Sequence, residues 1–171
     1  MDNIMQKLRI DKVTVNIGAG ESGDKLDKAK KLLQKLTDRT PILTTARKRV
    51  QVFGIRKGDT IGVKVTLRRK PAEEFLAKAF DTIDSKISKR AFDKFGNFSF
   101  GIKQYIDFPG IRYDPSVGLI GFDVCVTLTR PGYRVTLRKH KRSVIPNSQR
   151  GTIEESIALI KEKYGVSTIE S

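Results

Sequence analysis

Three stretches of the chain alternate apolar and polar residues with a period of two: Val13, Val15, Ile17; Ile61, Val63, Val65, Leu67; and Ile120, Phe122, Val124, Val126, Leu128. That period sends successive side chains to opposite faces of a strand. Each strand therefore offers one apolar face to a core and one polar face away from it, and a chain holding three of them must build a sheet covered on one side only. The covering comes from segments of helical period. Leu26, Ala29, Leu32, Leu33 and Leu36 predict an amphipathic helix with Ser22 or Asp24 as its cap. Pro71, followed by Glu73 and Glu74, opens a second helix whose stripe Phe75, Leu76, Ala79, Phe80, Ile83, Ile87 runs to near Ser88. Thr152 and Glu155 have the spacing of a capping box for a last helix, with Ile153, Ile157, Ile160 and Tyr164 inward and Gly165 as its stop.

Turn chemistry completes the pattern. Arg56-Lys57-Gly58-Asp59 predicts a hairpin between Val50–Ile55 and Thr60–Arg69, and Pro131-Gly132 a second one, returning through Tyr133–Leu137. Residues 92–101, rich in Phe and Gly, read as a tight loop, and 102–118 show no periodicity that assigns an element. Hairpins with helices between them, without strict βαβ alternation, predict an α+β fold: a mostly antiparallel sheet with helices on one face, an open second face and a projecting basic hairpin. At 171 residues the chain is expected to form a single domain, 1–171.

The net charge is +15, and it is unevenly placed. Residues 41–70 carry +8 and residues 130–150 carry +7, so 51 residues hold a charge equal to the whole excess. Like charges crowded into short segments repel unless a partner neutralises them, which predicts a docking surface for a polyanion. The single cysteine, Cys125, cannot form an internal disulfide, and no apolar h-region opens the chain, so an intracellular, cytoplasmic protein is expected. No apolar stretch approaches the length of about 20 residues needed to span a bilayer. A cationic helix with large exposed apolar residues, which an anionic membrane surface would require, is also missing.

The outward residues of the predicted strands are Thr14, Asn16, Lys64, Thr66, Arg68, Asp123, Cys125, Thr127 and Thr129. None carries a ring, so base stacking in the manner of single-strand readers is not expected; such a face suits sugar hydroxyls and phosphates of folded RNA. Arg47, Lys48, Arg49, Arg56 and Lys57 with Phe53 place cations beside an aromatic on a ribbon that can lie along a nucleic-acid backbone. Arg138, Lys139, Lys141 and Arg142 form a second basic run, less specific in itself.

One enzyme-like signal competes. Gly18, Gly20 and Gly23 spell G-x-G-x-x-G between a strand and a helix, the placement of a dinucleotide-binding turn, and the alternative reading is a small nucleotide-binding enzyme. Against it, Glu21 would set a carboxylate beside the pyrophosphate, and Arg39–Lys57, where the ribose-binding acid belongs, contains no acid. No catalytic triad, metal-ligand cluster or cofactor motif appears, so no catalysis, metal or cofactor is expected.

Several motifs together resemble one family. They are N-I-G-x-G-E from Asn16, T-x-A-R-K-x-V-x-x-F-x-I-R-x-G from Thr44, I-G-x-K-V-T-L-R from Ile61 and G-N-F-S-F-G-I from Gly96. The chain resembles, along nearly its whole length, the ribosomal protein L-five family of the large subunit, called L-eleven in eukaryotes. The forms G-E-S-G-D-K-L and R-P-G-Y-R-V are more similar to archaeal and eukaryotic members than to bacterial ones. The resemblance implies a non-catalytic place in the central protuberance. Expected partners are 5S rRNA, large-subunit rRNA, the peptidyl-site tRNA and neighbouring ribosomal proteins. It carries 5S rRNA contact onto Asn16, Arg39, Thr40, Lys64, Thr66 and Arg68, and approach to the tRNA onto the hairpin Arg47 to Asp59. Arg39 stands where bacterial members usually have Gln, so its contact would be of another type.

Overall fold

The computed structural model describes residues 4–20, 23–115 and 117–169. The elements are β1 (Arg9–Gly18), α1 (Asp24–Thr37), β2 (Ile42–Thr45), β3 (Thr60–Leu67), α2 (Lys70–Thr82), β4 (Lys86–Ser88), β5 (Phe98–Ile102), β6 (Phe122–Thr129), α3 (Arg134–Leu137), α4 (Ile153–Tyr164) and β7 (Ser167–Ile169). Five strands form a mostly antiparallel sheet in the order β2-β3-β1-β6-β5, and β4 and β7 pair separately in parallel. The expected α+β class holds.

The chain divides into two compact units. One comprises Thr14–Leu67 and Phe100–Cys125. Here α1 buries Leu26, Ala29, Leu32, Leu33 and Leu36 and packs on β3, whose Val63, Val65 and Leu67 are buried in turn. The other face of β3 shows exposed Lys64 and Thr66, the result that period-two alternation requires. Antiparallel pairing sets Ile42 opposite Lys64 and Thr44 opposite Gly62. Gly62 fits this spot because a Cβ there would lie 2.8 Å from Thr44 Oγ1 and 2.9 Å from the Ile17 carbonyl oxygen. Buried Tyr105 accepts the Asp114 N–H on its hydroxyl at 2.9 Å, and Lys35 of α1 pairs with the Asp114 carboxylate.

The other unit comprises Met1–Val13, Arg68–Ser99 and Val126–Ser171. Its core is aromatic: Phe80 of α2 lies 6.2 Å from Phe98 and 5.1 Å from Tyr164 between ring centroids, and Phe92 lies 5.2 Å from Phe98. The capping box of α4 is complete, with Thr152 Oγ1 accepting the Glu155 N–H and Glu155 accepting the Thr152 N–H. The G-N-F-S-F-G-I motif has a packing reason in this unit. Gly96 has φ +77°, and a Cβ on it would overlap Ser156 Oγ and come within 2.8 Å of the Thr152 carbonyl oxygen. Asn97 then turns its Oδ1 to the Leu128 N–H of β6 at 3.0 Å.

Five sequence expectations are corrected. Val50–Ile55 is no strand: Gln51–Phe53 make one 3-10 turn, Gly54 takes φ +65°, and Val50 and Ile55 pair as an isolated bridge. The partner of β3 is β2, so β-prone Val50, Val52 and Phe53 have no ladder to join. Tyr133–Leu137 is no strand either; Arg134–Leu137 is α3, because both edges of β6 are already taken by β1 and β5. The second helix stops at Thr82, where Asp84 and Ser85 adopt left-handed φ of 54° and 53°, and Ile87 is buried in β4 instead. The loop read at 92–101 ends at Asn97, and β5 follows. Asp24 lies inside α1, with Gly23 at the cap position and no side-chain cap bond; Ser22 and Glu21 fall outside the described residues.

Candidate nucleic-acid interface

In the unit of Thr14–Leu67 and Phe100–Cys125, the polar parity of each strand faces outward. Thr14 and Asn16 are half-buried on β1, Lys64 and Thr66 exposed on β3, and Asp123 and Cys125 exposed on β6. Ile42, 63% exposed, adds one apolar contact that sequence reading passed over. No ring lies among these outward positions, as the alternation had indicated. Asn16, Gly18, Gly101, Lys103 and Asp123 line a trough of about 420 Å³ on this side. Two of those positions are glycines, so a ligand backbone can approach the strands closely. Lys103 and Gly101 were not foreseen, because 102–118 carried no periodicity and Gly101 was read as loop. Burial, with the Asp123 charge added, pushes the Cys125 thiol above its ordinary range and keeps it protonated.

The basic arm belongs to the same unit. Its base is closed by the Ala46 N–H to the Asp59 carbonyl oxygen at 2.8 Å and the Gly58 N–H to the Ala46 carbonyl oxygen at 3.0 Å. The Arg56 N–H donates to the Asp59 carboxylate at 2.7 Å, so Asp59, the single acid of the arm, serves the turn. Arg47, Lys48, Arg49, Arg56 and Lys57 are exposed, and at the tip Val52 and Phe53 are 89% and 73% exposed. Arg39 and Thr40 lie exposed just after α1, which Asp38 ends in a left-handed conformation; Thr40 stands two residues ahead of Ile42 and so shares its strand parity.

The second basic segment, 130–150, lies in the other unit. Arg68 lies there too, exposed and paired with Asp11 at 3.1 Å. Sequence counting treated the seven cations of 130–150 alike, and the fold separates them. Arg150 stacks on the Phe95 ring at 4.3 Å, and Arg130 Nη2 donates to both carboxylate oxygens of Glu155 at 2.7 Å. Arg138 turns its Nε to the Lys141 carbonyl oxygen at 2.7 Å, curling the run so that Lys139, Lys141 and Arg142 remain exposed. The two basic segments thus serve two compact units, and charge counting along the chain could not separate them.

The glycine turn is spent on structure. The N–H groups of Ala19 and Gly20 both donate to the Ile61 carbonyl oxygen at 3.0 Å, so these donors of the turn hold β3 rather than a pyrophosphate. The strand after α1, β2, pairs antiparallel with β3, whereas a dinucleotide fold needs a parallel crossover there. Among the described residues no group of His, Cys, Asp and Glu could hold a metal ion, and no helix is long and apolar enough to cross a membrane.

Two family models cover most of the chain: ribosomal protein L5 matches residues 3–56, and the model of the C-terminus of the same ribosomal family matches residues 60–150. The large ribosomal subunit protein uL5 of Sulfolobus acidocaldarius is 48% identical over 169 residues, which cover 99% of this chain and 95% of that relative. That of Methanococcus vannielii is 50% identical over 170 residues, with 96% and 93% covered. The Pyrobaculum aerophilum protein of the same name is 49% identical over 162 residues, with 95% and 90% covered. These archaeal relatives agree with the sequence resemblance, and the chain belongs to the ribosomal protein L5 family, whose members are non-enzymatic constituents of the ribosome.

Proposed function

We propose that this chain binds 5S rRNA in the central protuberance of the large ribosomal subunit and extends the arm of residues 46–59 toward the peptidyl-site tRNA. The whole chain, 1–171, acts on this reading as one binding domain in the cytoplasmic ribosome, against large-subunit rRNA and neighbouring ribosomal proteins. The observation that carries it is the ring-free outer sheet face, with Thr14 and Asn16 half-buried and Lys64 and Thr66 exposed, in the unit that also exposes Arg39 and Thr40 ahead of β2. Hydroxyl, amide and ammonium groups on a rigid sheet match ribose hydroxyls and phosphates, and they read the shape of a folded RNA without stacking on its bases. The arm adds five exposed cations around an apolar tip, which supports backbone contact with a second RNA. Arg138, Lys139, Lys141 and Arg142 extend phosphate contact to rRNA from the other unit. The test is to purify the protein from cells at moderate salt and identify the RNA that accompanies it. Recovery of 5S rRNA is expected; a folded protein that brings no 5S rRNA rejects the reading.

A further inference from the structure

Asp123 stands exposed on the outer face of β6, the strand between β1 and β5. Among the described residues its carboxylate accepts no hydrogen bond and forms no ion pair. The neighbouring strands are bare on both sides of it. Gly18 of β1 has open space where a Cβ would stand, and a Cβ on Gly101 of β5 would lie in ordinary contact, 3.4 Å from Asp123 Oδ1. Neither glycine has a positive φ, so backbone and packing would both admit a side chain at these two positions. Gly121 differs: a Cβ there would come within 2.7 Å of the Lys103 carbonyl oxygen. Asp123, Gly18 and Gly101 line the trough of about 420 Å³ together with Asn16 and exposed Lys103, all in one compact unit.

An ionised carboxylate offers lone pairs only. On a face that seats RNA it repels phosphates, so it needs a donor opposite it. A-form RNA displays such donors on its wide, shallow minor groove, where the ribose 2′-hydroxyls stand outermost. We propose that this trough is a ribose site: the Asp123 carboxylate accepts a hydrogen bond from the 2′-hydroxyl of one 5S rRNA nucleotide, Lys103 holds a phosphate beside it, and the bare strands at Gly18 and Gly101 let the sugar come down onto the sheet. The inference rests on the reading of this face as the 5S rRNA seat. It adds to that reading the residue that tells RNA from DNA.

The experiment binds the full chain on filters to 5S rRNA pools sparsely substituted with 2′-deoxy phosphorothioate nucleotides, beside pools carrying the plain phosphorothioates. Iodine cleavage then maps which substitutions the bound fraction excludes. Wild type is expected to exclude the 2′-deoxy sugar about tenfold at one nucleotide or two adjacent ones. Asp123→Ala is expected to bind unsubstituted 5S rRNA about tenfold more weakly and to lose that exclusion alone, while Asp123→Asn, which keeps an oxygen in place, retains it. Gly18→Val fills the trough from an exposed strand position and is expected to lose it too. The same exclusion pattern in wild type and Asp123→Ala, or an Asp123→Ala chain that binds as tightly as wild type, overturns the inference and leaves the 5S rRNA reading standing. Exclusion of inosine for guanosine that depends on Asp123, with the 2′-deoxy sugar tolerated, overturns the ribose assignment in favour of a base edge. A folded wild type that binds no 5S rRNA removes the reading beneath the inference, and the inference with it.

Discussion

Val50 and Ile55 exchange both backbone hydrogen bonds, at 3.0 Å and 3.1 Å, so the arm is pinched closed five residues apart and only Gln51–Gly54 project beyond the pinch. The exposed Val52 and Phe53 therefore sit on a braced tip. Phe53→Ala is expected to shift unfolding stability by no more than about 0.5 kcal/mol, the usual range for surface positions. The triple change Arg47→Ala, Arg49→Ala, Arg56→Ala is expected to leave the thermal transition in place and weaken peptidyl-site tRNA binding to assembled ribosomes. Ribosomes that bind tRNA and translate normally with that arm would remove its assigned role.

Gly96 carries a stability prediction of the opposite kind. With φ at +77° and the Ser156 hydroxyl in the way, Gly96→Ala is expected to cost about 2–4 kcal/mol, from the left-handed backbone and the overpacking together. Adding Ser156→Gly relieves the overlap and is expected to recover part of the loss, read by denaturant midpoint. Equal stability of Gly96→Ala and wild type would contradict the packing described for the G-N-F-S-F-G-I loop.

Glu155 gives a pH signature. Burial pushes its carboxyl upward, but hydrogen bonds from Arg130 and the Thr152 backbone, with the Arg130 charge, outweigh burial and hold it below the ordinary carboxylate range. A depressed folded value means its contribution is present above the unfolded value of about 4.3 and fades as the pH falls through the lower folded value. Glu155→Gln keeps an oxygen for the Thr152 N–H, because Gln also closes a capping box, so it is expected to cost no more than about 1 kcal/mol at neutral pH, through the lost charge opposite Arg130, and to flatten this acid limb of the stability curve. An unaltered limb would count against the Arg130–Glu155 pair.

Tyr164 titrates at the other end. Burial, with the Glu73 charge behind it, pushes its phenol up to about 12. The folded value lies above the ordinary value of about 10, so the stability it adds is whole below about pH 10 and is lost as the pH rises through the folded value. Ultraviolet titration of wild type beside Tyr164→Phe is expected to show a late phenolate that the variant lacks, and Glu73→Gln to bring it earlier. A Tyr164 phenol that ionises near its ordinary value would contradict the aromatic core around Phe80.

Much of this molecule is written locally. Val13, Val15 and Ile17, the 61–67 run and the 122–128 run announce their buried face by alternation alone, and Thr152 with Glu155 announces a helix start by spacing. What failed to show was decided by partners. Val50–Ile55 and Tyr133–Leu137 have strand-like composition and no free edge to join, while Lys86–Ser88 and Ser167–Ile169 pair from far apart in the chain, in runs too short to display a period. The polar sheet face was visible because it is the complement of the core. The Arg130–Glu155 pair was not, since its partners stand 25 residues apart in the chain.

The central claim is that an exposed, ring-free sheet face and two basic segments bind structured RNA through its backbone. The direct measurement is the affinity of the full chain for 5S rRNA between about 50 and 500 mM monovalent salt, with Lys64→Ala beside wild type. A log-log slope of several units, reduced by about one in Lys64→Ala, is the expected result. A slope near zero, or one that Lys64→Ala leaves unchanged, would contradict it.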